Sequence, residues 1–148
     1  MGIIKVAICD DDQYMCEKVH DFLKLFFSRQ HITVLYYFFA DGMYLLESDE
    51  IFDIVILDIE MKNLDGIETA KLLRKKGMKG IIIFVTAYPD FVFQGYEVHA
   101  FHYILKPYRK EKIQEVLNQA LNELELSKEQ YFVIEQKARI IRIPLTQT

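Results

Sequence analysis

Short, mostly apolar runs recur five times along the chain, separated by segments with a different hydrophobic repeat. An apolar run without strict alternation is typical of a strand that is buried on both faces of a sheet. Turn-forming or charged residues bound each run and limit it to the length of a strand. The pattern predicts strands at Ile4–Cys9, Thr33–Phe39, Asp53–Leu57, Gly80–Val85 and Phe101–Leu105.

The segments between these runs carry apolar residues three and four positions apart, which is the spacing of one helix face. Asp12 is suited to cap the first segment. In the third segment, Leu72 and Leu73 are among the residues expected to point inward, and Gly77 should end the helix. The predicted helices are Gln13–Arg29, a short helix opening at Asp41-Gly42, Gly66–Lys76, Asp90–Glu97 and Glu111–Ser127.

Strands that alternate with helices predict βαβ units and a parallel sheet covered on both faces. We therefore expect an α/β fold: a flavodoxin-like, doubly wound sheet of five parallel strands in the order 2-1-3-4-5, with five helices. Asp58 directly follows the apolar run Ile54–Leu57. Because a lone carboxylate buried in a strand is very costly, Asp58 should lie at the strand's carboxyl end, where open α/β sheets bind ligands.

Composition narrows the class of protein. The chain has 148 residues, about one domain, and its net charge of −4 argues against extensive wrapping by nucleic acid. Two cysteines are too few for a disulfide framework and favour reduced thiols. The amino terminus does not resemble a signal peptide, and no apolar run reaches roughly 18 residues. We therefore expect a soluble, cytoplasmic protein without a membrane partner.

The last part of the chain departs from the α/β pattern. Two β-like runs, Tyr131–Ile134 and Arg139–Ile143, flank a short polar segment and suggest a hairpin. A lone hairpin is marginally stable in water. We expect residues 1–127 to form one domain and residues 128–148 to be a linker and the first strands of a second, truncated domain, or a tail that packs on a partner.

Reactive side chains follow four of the predicted strands: Asp10 and Asp11, then Asp58, Thr86 and Lys106. The expected strand order brings these groups to one crevice. Three carboxylates there would repel one another unless a cation joined them, and Mg²⁺ is the hard ion that prefers such oxygen ligands. Asp58 could then serve as a nucleophile of the aspartyl-phosphate type, while Lys106 and Thr86 stabilise the phosphoryl oxygens.

Four motifs together resemble the receiver domain of bacterial response regulators, over about residues 3–127. They are Cys9–Asp12, Leu57–Met61 with Asp65-Gly66 behind it, Val85–Ala87 and Tyr103–Pro107. The resemblance implies a phosphorylation switch whose phosphoryl group comes from a sensor histidine kinase. It also implies that the Lys106–Pro107 bond is cis, as it usually is in this family. It implies that Asp58 is the phosphoacceptor and that Lys106 pairs with the phosphate. Thr86 and Tyr103 would be the switch residues. The Mg²⁺ ligands would be Asp10, Asp11 and Asp58, together with the backbone carbonyl of Glu60.

Further features are similar to the receivers of LytTR-type transcriptional regulators. These features are Thr86-Ala87-Tyr88 followed by Tyr96 and Ala100-Phe101, and the tail from Tyr131. The resemblance implies regulation of transcription through a DNA-binding domain of which this chain holds only the opening strands. The resemblance to receivers also leads us to expect a homodimer through the fourth helix, fifth strand and fifth helix, because in receivers this region lies beside the surface that rearranges on phosphorylation.

Other interpretations remain open for the same residues. Each acid could simply cap a helix or lie in a turn. A stand-alone receiver acting by protein–protein interaction would share every motif. A haloacid dehalogenase-type phosphohydrolase also uses an aspartyl nucleophile with Mg²⁺, but its Asp-x-Asp motif follows the first strand, whereas here Glu60 stands two residues after Asp58. A flavin carrier would need a Ser/Thr/Gly-rich loop where Asp10–Asp12 stand.

Overall fold

The computed structural model describes residues 2–125. The predicted boundary at residue 127, the hairpin-like runs and the end of the last predicted helix lie outside these residues.

Five parallel strands form one sheet in the order β2-β1-β3-β4-β5, which confirms the predicted fold class and topology. The strand pairs are in continuous register, as in Cys9 opposite Leu57 and Leu57 opposite Phe84. Every predicted strand agrees with the structure to within one residue at each end. The strands are β1 (Ile4–Cys9), β2 (Val34–Phe39), β3 (Ile54–Leu57), β4 (Ile81–Thr86) and β5 (His102–Leu105).

Helices connect the strands, and acidic side chains cap the first three of them. The Asp12 carboxylate accepts hydrogen bonds from the backbone N–H groups of Tyr14 and Met15, which confirms the predicted cap. A 3₁₀ turn at Pro89–Phe91 precedes the fourth helix, where one continuous helix was predicted. The helices are α1 (Gln13–Arg29), α2 (Gly42–Glu47), α3 (Gly66–Lys75), α4 (Val92–Glu97) and α5 (110–125).

Both faces of the sheet are buried, which explains why the strands are almost wholly apolar. On one face, Val6 and Ile8 pack with α1 and α5. On the other face, Ala7 and Cys9 pack with α2, α3 and the end of α4. The prediction that Leu72 points inward is wrong: its side chain is 37% exposed, because Ala70 and Leu73 already occupy the inner face of α3.

The guanidinium group of Arg74 joins three segments at the amino-terminal end of the sheet. It donates hydrogen bonds of 2.8 to 3.0 Å to the carbonyl oxygens of Met78, Gly80, Val98 and His99. Burial lowers the pKa of Arg74, although the group stays charged. The end of α4 is thereby tied to α3, a connection that the sequence pattern did not suggest.

None of the helices formed by residues 2–125 is long and apolar enough to cross a membrane.

Gly66 lets the start of α3 lie directly against the end of β3. Its backbone N–H donates to the Ile59 carbonyl at 2.7 Å. A Cβ atom built on Gly66 would lie 2.0 Å from the Asp58 carbonyl oxygen and 2.8 Å from the Ile59 Cα. Both contacts are with backbone, so a side chain at this position would displace the segment that carries Asp58.

We predict that Gly66→Ala lowers the free energy of unfolding by about 1–3 kcal/mol, the usual cost of overpacking. Urea unfolding followed by circular dichroism measures the change. Gly77→Ala is an informative comparison, because its cost should come from the φ of +99° and not from contact, since a Cβ there meets nothing within 4 Å. Only the Gly66 variant should also perturb the Asp58 backbone resonances; an unperturbed Asp58 would contradict the packing argument.

Candidate functional site

The strand register sets Asp10 and Asp58 side by side at the carboxyl edge of the sheet. Cys9 is opposite Leu57 in the ladder, and the Asp58 N–H donates to the Cys9 carbonyl at 3.0 Å. The next residues of the two strands are therefore neighbours. Because burial on both faces makes an unpaired charge costly within the strands, the two carboxylates appear at the first positions beyond β1 and β3.

Three carboxylates converge at this edge. Oxygen atoms of Asp10, Asp11 and Asp58 all lie within 4.8 Å of one another. Asp10 is buried, Asp58 is half-buried and Asp11 is exposed. The cluster therefore opens to solvent on the side of Asp11.

Backbone amides orient each of the three acids. Asp10 Oδ1 accepts from the Asp12 N–H at 2.9 Å, and Asp58 Oδ1 accepts from the Ile59 N–H at 2.8 Å. Asp11 Oδ2 accepts from the Lys62 N–H at 3.2 Å. The last contact ties the loop after β1 to the loop after β3. Each acid has one oxygen engaged in this way.

Lys106 extends from the end of β5 into the same cluster. Its Nζ atom lies 3.1 Å from Asp10 Oδ2 and 3.5 Å from Asp58 Oδ2. The Lys106 N–H donates to the Thr86 carbonyl at 2.8 Å, so the strand ladder continues up to this residue, which precedes the cis Lys106–Pro107 bond. The ammonium group thus contacts two of the three carboxylates, and the cluster carries an excess of negative charge.

The electrostatic cost of the cluster is concentrated on Asp10. Burial raises the pKa of Asp10, and the nearby Asp58 charge raises it further. The hydrogen bond from the Asp12 amide and the Lys106 ammonium act in the opposite direction but do not cancel the rise in that pKa. An additional cation would relieve this repulsion.

The donor set suits a hard divalent cation such as Mg²⁺. All three side chains offer oxygen ligands, and Mg²⁺ is usually held by one or two carboxylates while it keeps several waters. The side chain of Glu60 is exposed, and its carboxylate beside the Tyr88 hydroxyl raises the pKa of Tyr88. Glu60 is therefore not part of the carboxylate cluster, and the predicted role for it concerns its backbone carbonyl alone.

The two predicted switch residues lie beside this cluster. Thr86 ends β4 and is fully buried, and its hydroxyl oxygen accepts a 3.4 Å hydrogen bond from the Tyr88 N–H. Tyr103 lies on β5, with its ring packed against Phe84 and its hydroxyl donating to the Tyr88 carbonyl. A Cβ atom on Gly95 of α4 would lie 3.3 Å from the Tyr103 ring, so the ring also borders α4.

Tyr88 connects these groups, although no role for its contacts was predicted from the sequence. Its side chain reaches Glu60 after β3, its N–H reaches Thr86, and its carbonyl accepts from Tyr103. Its position two residues after Thr86 was visible in the sequence. Its partners were not, because they depend on how two loops pack across the sheet edge.

Comparisons with known proteins agree with this geometry. Residues 6–118 match the family model described as the response regulator receiver domain. The chain is 38% identical over 78 residues to the sensory transduction protein LytR of Staphylococcus epidermidis, and 43% identical over 65 residues to LytT of Bacillus anthracis. These segments cover 53% and 44% of this chain but only 29% and 26% of the two relatives.

Solved structures show the same fold. The response regulatory domain of protein mrkE from Klebsiella pneumoniae superposes with a TM-score of 0.75 at 27% identity, covering 83% of this chain and 99% of that domain. The BeF3-activated DrrB receiver domain gives a TM-score of 0.68 at 25% identity, covering 81% and 98%. The chain belongs to the response regulator receiver domain family and is the receiver domain of a two-component response regulator.

Proposed function

We propose that Asp58 accepts a phosphoryl group from the phosphohistidine of a sensor histidine kinase. The observation that carries this proposal is the convergence of Asp10, Asp11 and Asp58 within 4.8 Å, with the Lys106 ammonium on two of them. The receiver motif assigns Asp58 as the acceptor; burial does not distinguish it from Asp10, because both side chains contact Lys106 and are similarly buried, 11% and 9% exposed.

In the transfer step, one Asp58 carboxylate oxygen attacks the phosphorus atom. A new P–O bond forms, the P–N bond to the kinase histidine breaks, and the imidazole keeps the electron pair and takes up a proton. The Ile59 amide holds Asp58 Oδ1 at 2.8 Å, which leaves Oδ2 as the attacking oxygen. Chemistry of this kind is mostly a matter of positioning and charge stabilisation.

The residues around Asp58 stabilise the charge of the phosphoryl group. Lys106 moves from pairing the two carboxylates to pairing a phosphoryl oxygen. Asp10, Asp11 and Asp58 would hold Mg²⁺ together with the Glu60 carbonyl, and the ion when bound supplies charge neutralisation at the transferring oxygens. Asp10 Oδ2 would become available for this site when Lys106 turns to the phosphoryl group, and Asp11 would contribute the oxygen that the Lys62 amide does not engage.

Phosphorylation adds charge and strong hydrogen-bond acceptors next to Thr86. The Thr86 hydroxyl exchanges its long 3.4 Å contact with Tyr88 for a bond to the phosphoryl group, and the Tyr103 ring then rotates inward. A less populated conformation of the α4-β5-α5 face thereby becomes the dominant one. Phe93 and Tyr96, each 84% exposed on α4, lie on the surface that would change.

We infer that the output is transcriptional, through a LytTR-type DNA-binding domain that begins within residues 128–148. The similarity to LytR and LytT proteins and the β-like runs from Tyr131 support this assignment. The α4-β5-α5 face is the proposed surface for a homodimer of the phosphorylated form. A histidine kinase as phosphoryl donor and two thiols buried in the reduced state are consistent with a cytoplasmic protein.

We predict that Asp58→Ala abolishes labelling by radioactive acetyl phosphate, because in this mechanism the two other carboxylates of the cluster, Asp10 and Asp11, act as cation ligands and not as nucleophiles. Asp90→Ala, which removes an exposed acid after β4, should label like the wild type. Acid-stable, base-labile label persisting in the Asp58 variant would show that the nucleophile is another residue. Sustained turnover of small phosphate esters by the wild type would instead favour a phosphohydrolase.

We predict that Lys106→Ala keeps Mg²⁺ binding but loses the conformational response to phosphorylation. The three carboxylates remain, while the cation that reads the phosphoryl group is gone. Mg²⁺ titration and amide hydrogen exchange of α4, with and without acetyl phosphate, separate the two effects. Lys110→Ala removes an equal charge from the exposed start of α5 and should respond normally. Loss of Mg²⁺ binding in the Lys106 variant would contradict this division of roles.

We predict that Asp10→Asn stabilises the fold in the presence of a chelator at neutral pH. The raised pKa of Asp10 means that the folded state binds the proton more tightly than the unfolded state. Wild-type stability therefore falls as pH rises from the unfolded value of about 3.8 through the folded pKa, and the advantage of Asn grows over that interval. Urea unfolding across pH measures it.

Added Mg²⁺ should reverse the order of stability in the same experiment. Binding to the folded wild type contributes about 2.7 kcal/mol at a concentration of about one hundred times Kd, and the variant should gain less. An Asn variant that is less stable than the wild type in chelator at neutral pH would show that Asp10 is not destabilising in the ion-free fold.

A further inference from the structure

Strand β2 forms an open edge of the sheet. Its six residues, Val34–Phe39, pair with β1 along one side only, and no other strand of residues 2–125 follows it in the sheet. All six side chains are apolar or aromatic. Natural sheets usually protect an edge with Lys, Pro or a bulge. Here the register with β1 is continuous and the strand contains none of these residues.

The exposed side chains of β2 lie on both faces of this edge. Phe38 shares the α1 face with Tyr36, where His20 packs against both rings at 4.5 and 4.8 Å. Leu35 lies on the opposite face, with Tyr37 and Phe39 packed into the second core layer. Leu35 is 42% exposed and Phe38 is 49% exposed. An added strand would therefore cover apolar surface on both faces at once.

A groove of about 670 Å³ runs beside the edge on the α1 face. Leu25, Ile32, Val34 and Tyr36 supply its apolar lining. Strand addition to a sheet edge derives affinity from main-chain hydrogen bonds and specificity from pockets that accept alternate side chains. The open edge and the adjacent groove provide both features.

A second copy of β2 fits this surface by symmetry. In an antiparallel pair centred on Tyr37, Leu35 lies opposite Phe39 of the second copy, and Phe38 lies opposite Tyr36 of the second copy. Residues of equal parity then share a face, so α1 stays on the same side of both sheets. Each exposed side chain acquires an aromatic cross-strand partner, and such pairs stabilise sheets.

The charges at the edge favour a second copy as the occupant. The pairing strand itself has no charge, so no like charges face each other along it. The groove rim carries one acid and one base, Asp21 and Lys24, which form a 3.5 Å pair within α1. Across a twofold axis, Lys24 of one copy can approach Asp21 of the other, so the charges on the two groove rims are complementary.

We propose that this chain forms a symmetric homodimer by antiparallel pairing of the β2 edges, giving a continuous ten-stranded sheet. This interface is separate from the α4-β5-α5 face and does not require Asp58 to be phosphorylated. The two sheets extend away from the twofold axis in opposite directions. Neither copy therefore covers the other's carboxylate cluster, and both clusters remain open to a phosphoryl donor.

The test is the mass of the whole 148-residue chain in solution as a function of concentration, by light scattering and sedimentation equilibrium without phosphoryl donor. We expect a monomer–dimer equilibrium that Leu35→Lys abolishes, because an ammonium group would face Phe39 of the second copy. Leu35→Ile should dimerise like the wild type. Circular dichroism and thermal unfolding verify that Leu35→Lys folds, as its exposed position allows.

The matched control is Tyr96→Lys, which places the same charge on α4, and it should leave this dimer intact. Amide exchange supplies an independent readout, since alternate N–H groups of β2 should gain protection on dimerisation. A wild-type chain that stays monomeric, a dimer lost in Tyr96→Lys but kept in Leu35→Lys, or growth beyond the dimer would each overturn the proposal. Because no phosphoryl donor is present, failure here would leave phosphotransfer to Asp58 unaffected.

Discussion

The burial of the sheet on both faces is the constraint on which the rest of the structure depends. Two apolar layers enclose strands β1, β3 and β4, so a charged side chain within them would lose its solvation without compensation. In β1 and β3 the carboxylates therefore stand at the first residue beyond the strand. Because the strands are parallel and in register, Asp10 and Asp58 become neighbours at one edge. The core thus determines where the reactive groups lie.

The negative charges of the resulting site are only partly balanced. Lys106 contacts two carboxylates, yet the pKa of the buried Asp10 stays raised, so the ion-free cluster is under charge repulsion. This repulsion would favour binding of the proposed divalent cation. Gly66 contributes by allowing α3 to start within contact distance of the Asp58 backbone, which limits how far that backbone can relax.

The two ends of α4 are held to the rest of the molecule by different contacts. Arg74 ties the carboxyl end to α3 through the carbonyl oxygens of Val98 and His99, while the preceding loop is joined to Tyr103 and Thr86 by single hydrogen bonds at Tyr88. A change at the carboxylate cluster would therefore reach α4 through its amino-terminal end. The open β2 edge lies on the other side of the sheet order, so the two proposed interfaces can act independently.

The sequence by itself determined the α/β class, the strand order, nearly every element boundary and the set of groups at the carboxyl edge. It could do so because a strand that is buried on both faces is visible in the sequence as an apolar run, and in β1 and β3 that run ends at an acidic residue. Tertiary packing alone decided that Leu72 lies at the surface, that Tyr88 links two loops, and that Arg74 binds four carbonyls. It also decided that, among residues 2–125, Leu35 and Phe38 stay exposed. These outcomes depend on which side chain packs into a given space. Because that side chain comes from a residue distant in the chain, the local sequence pattern does not predict it.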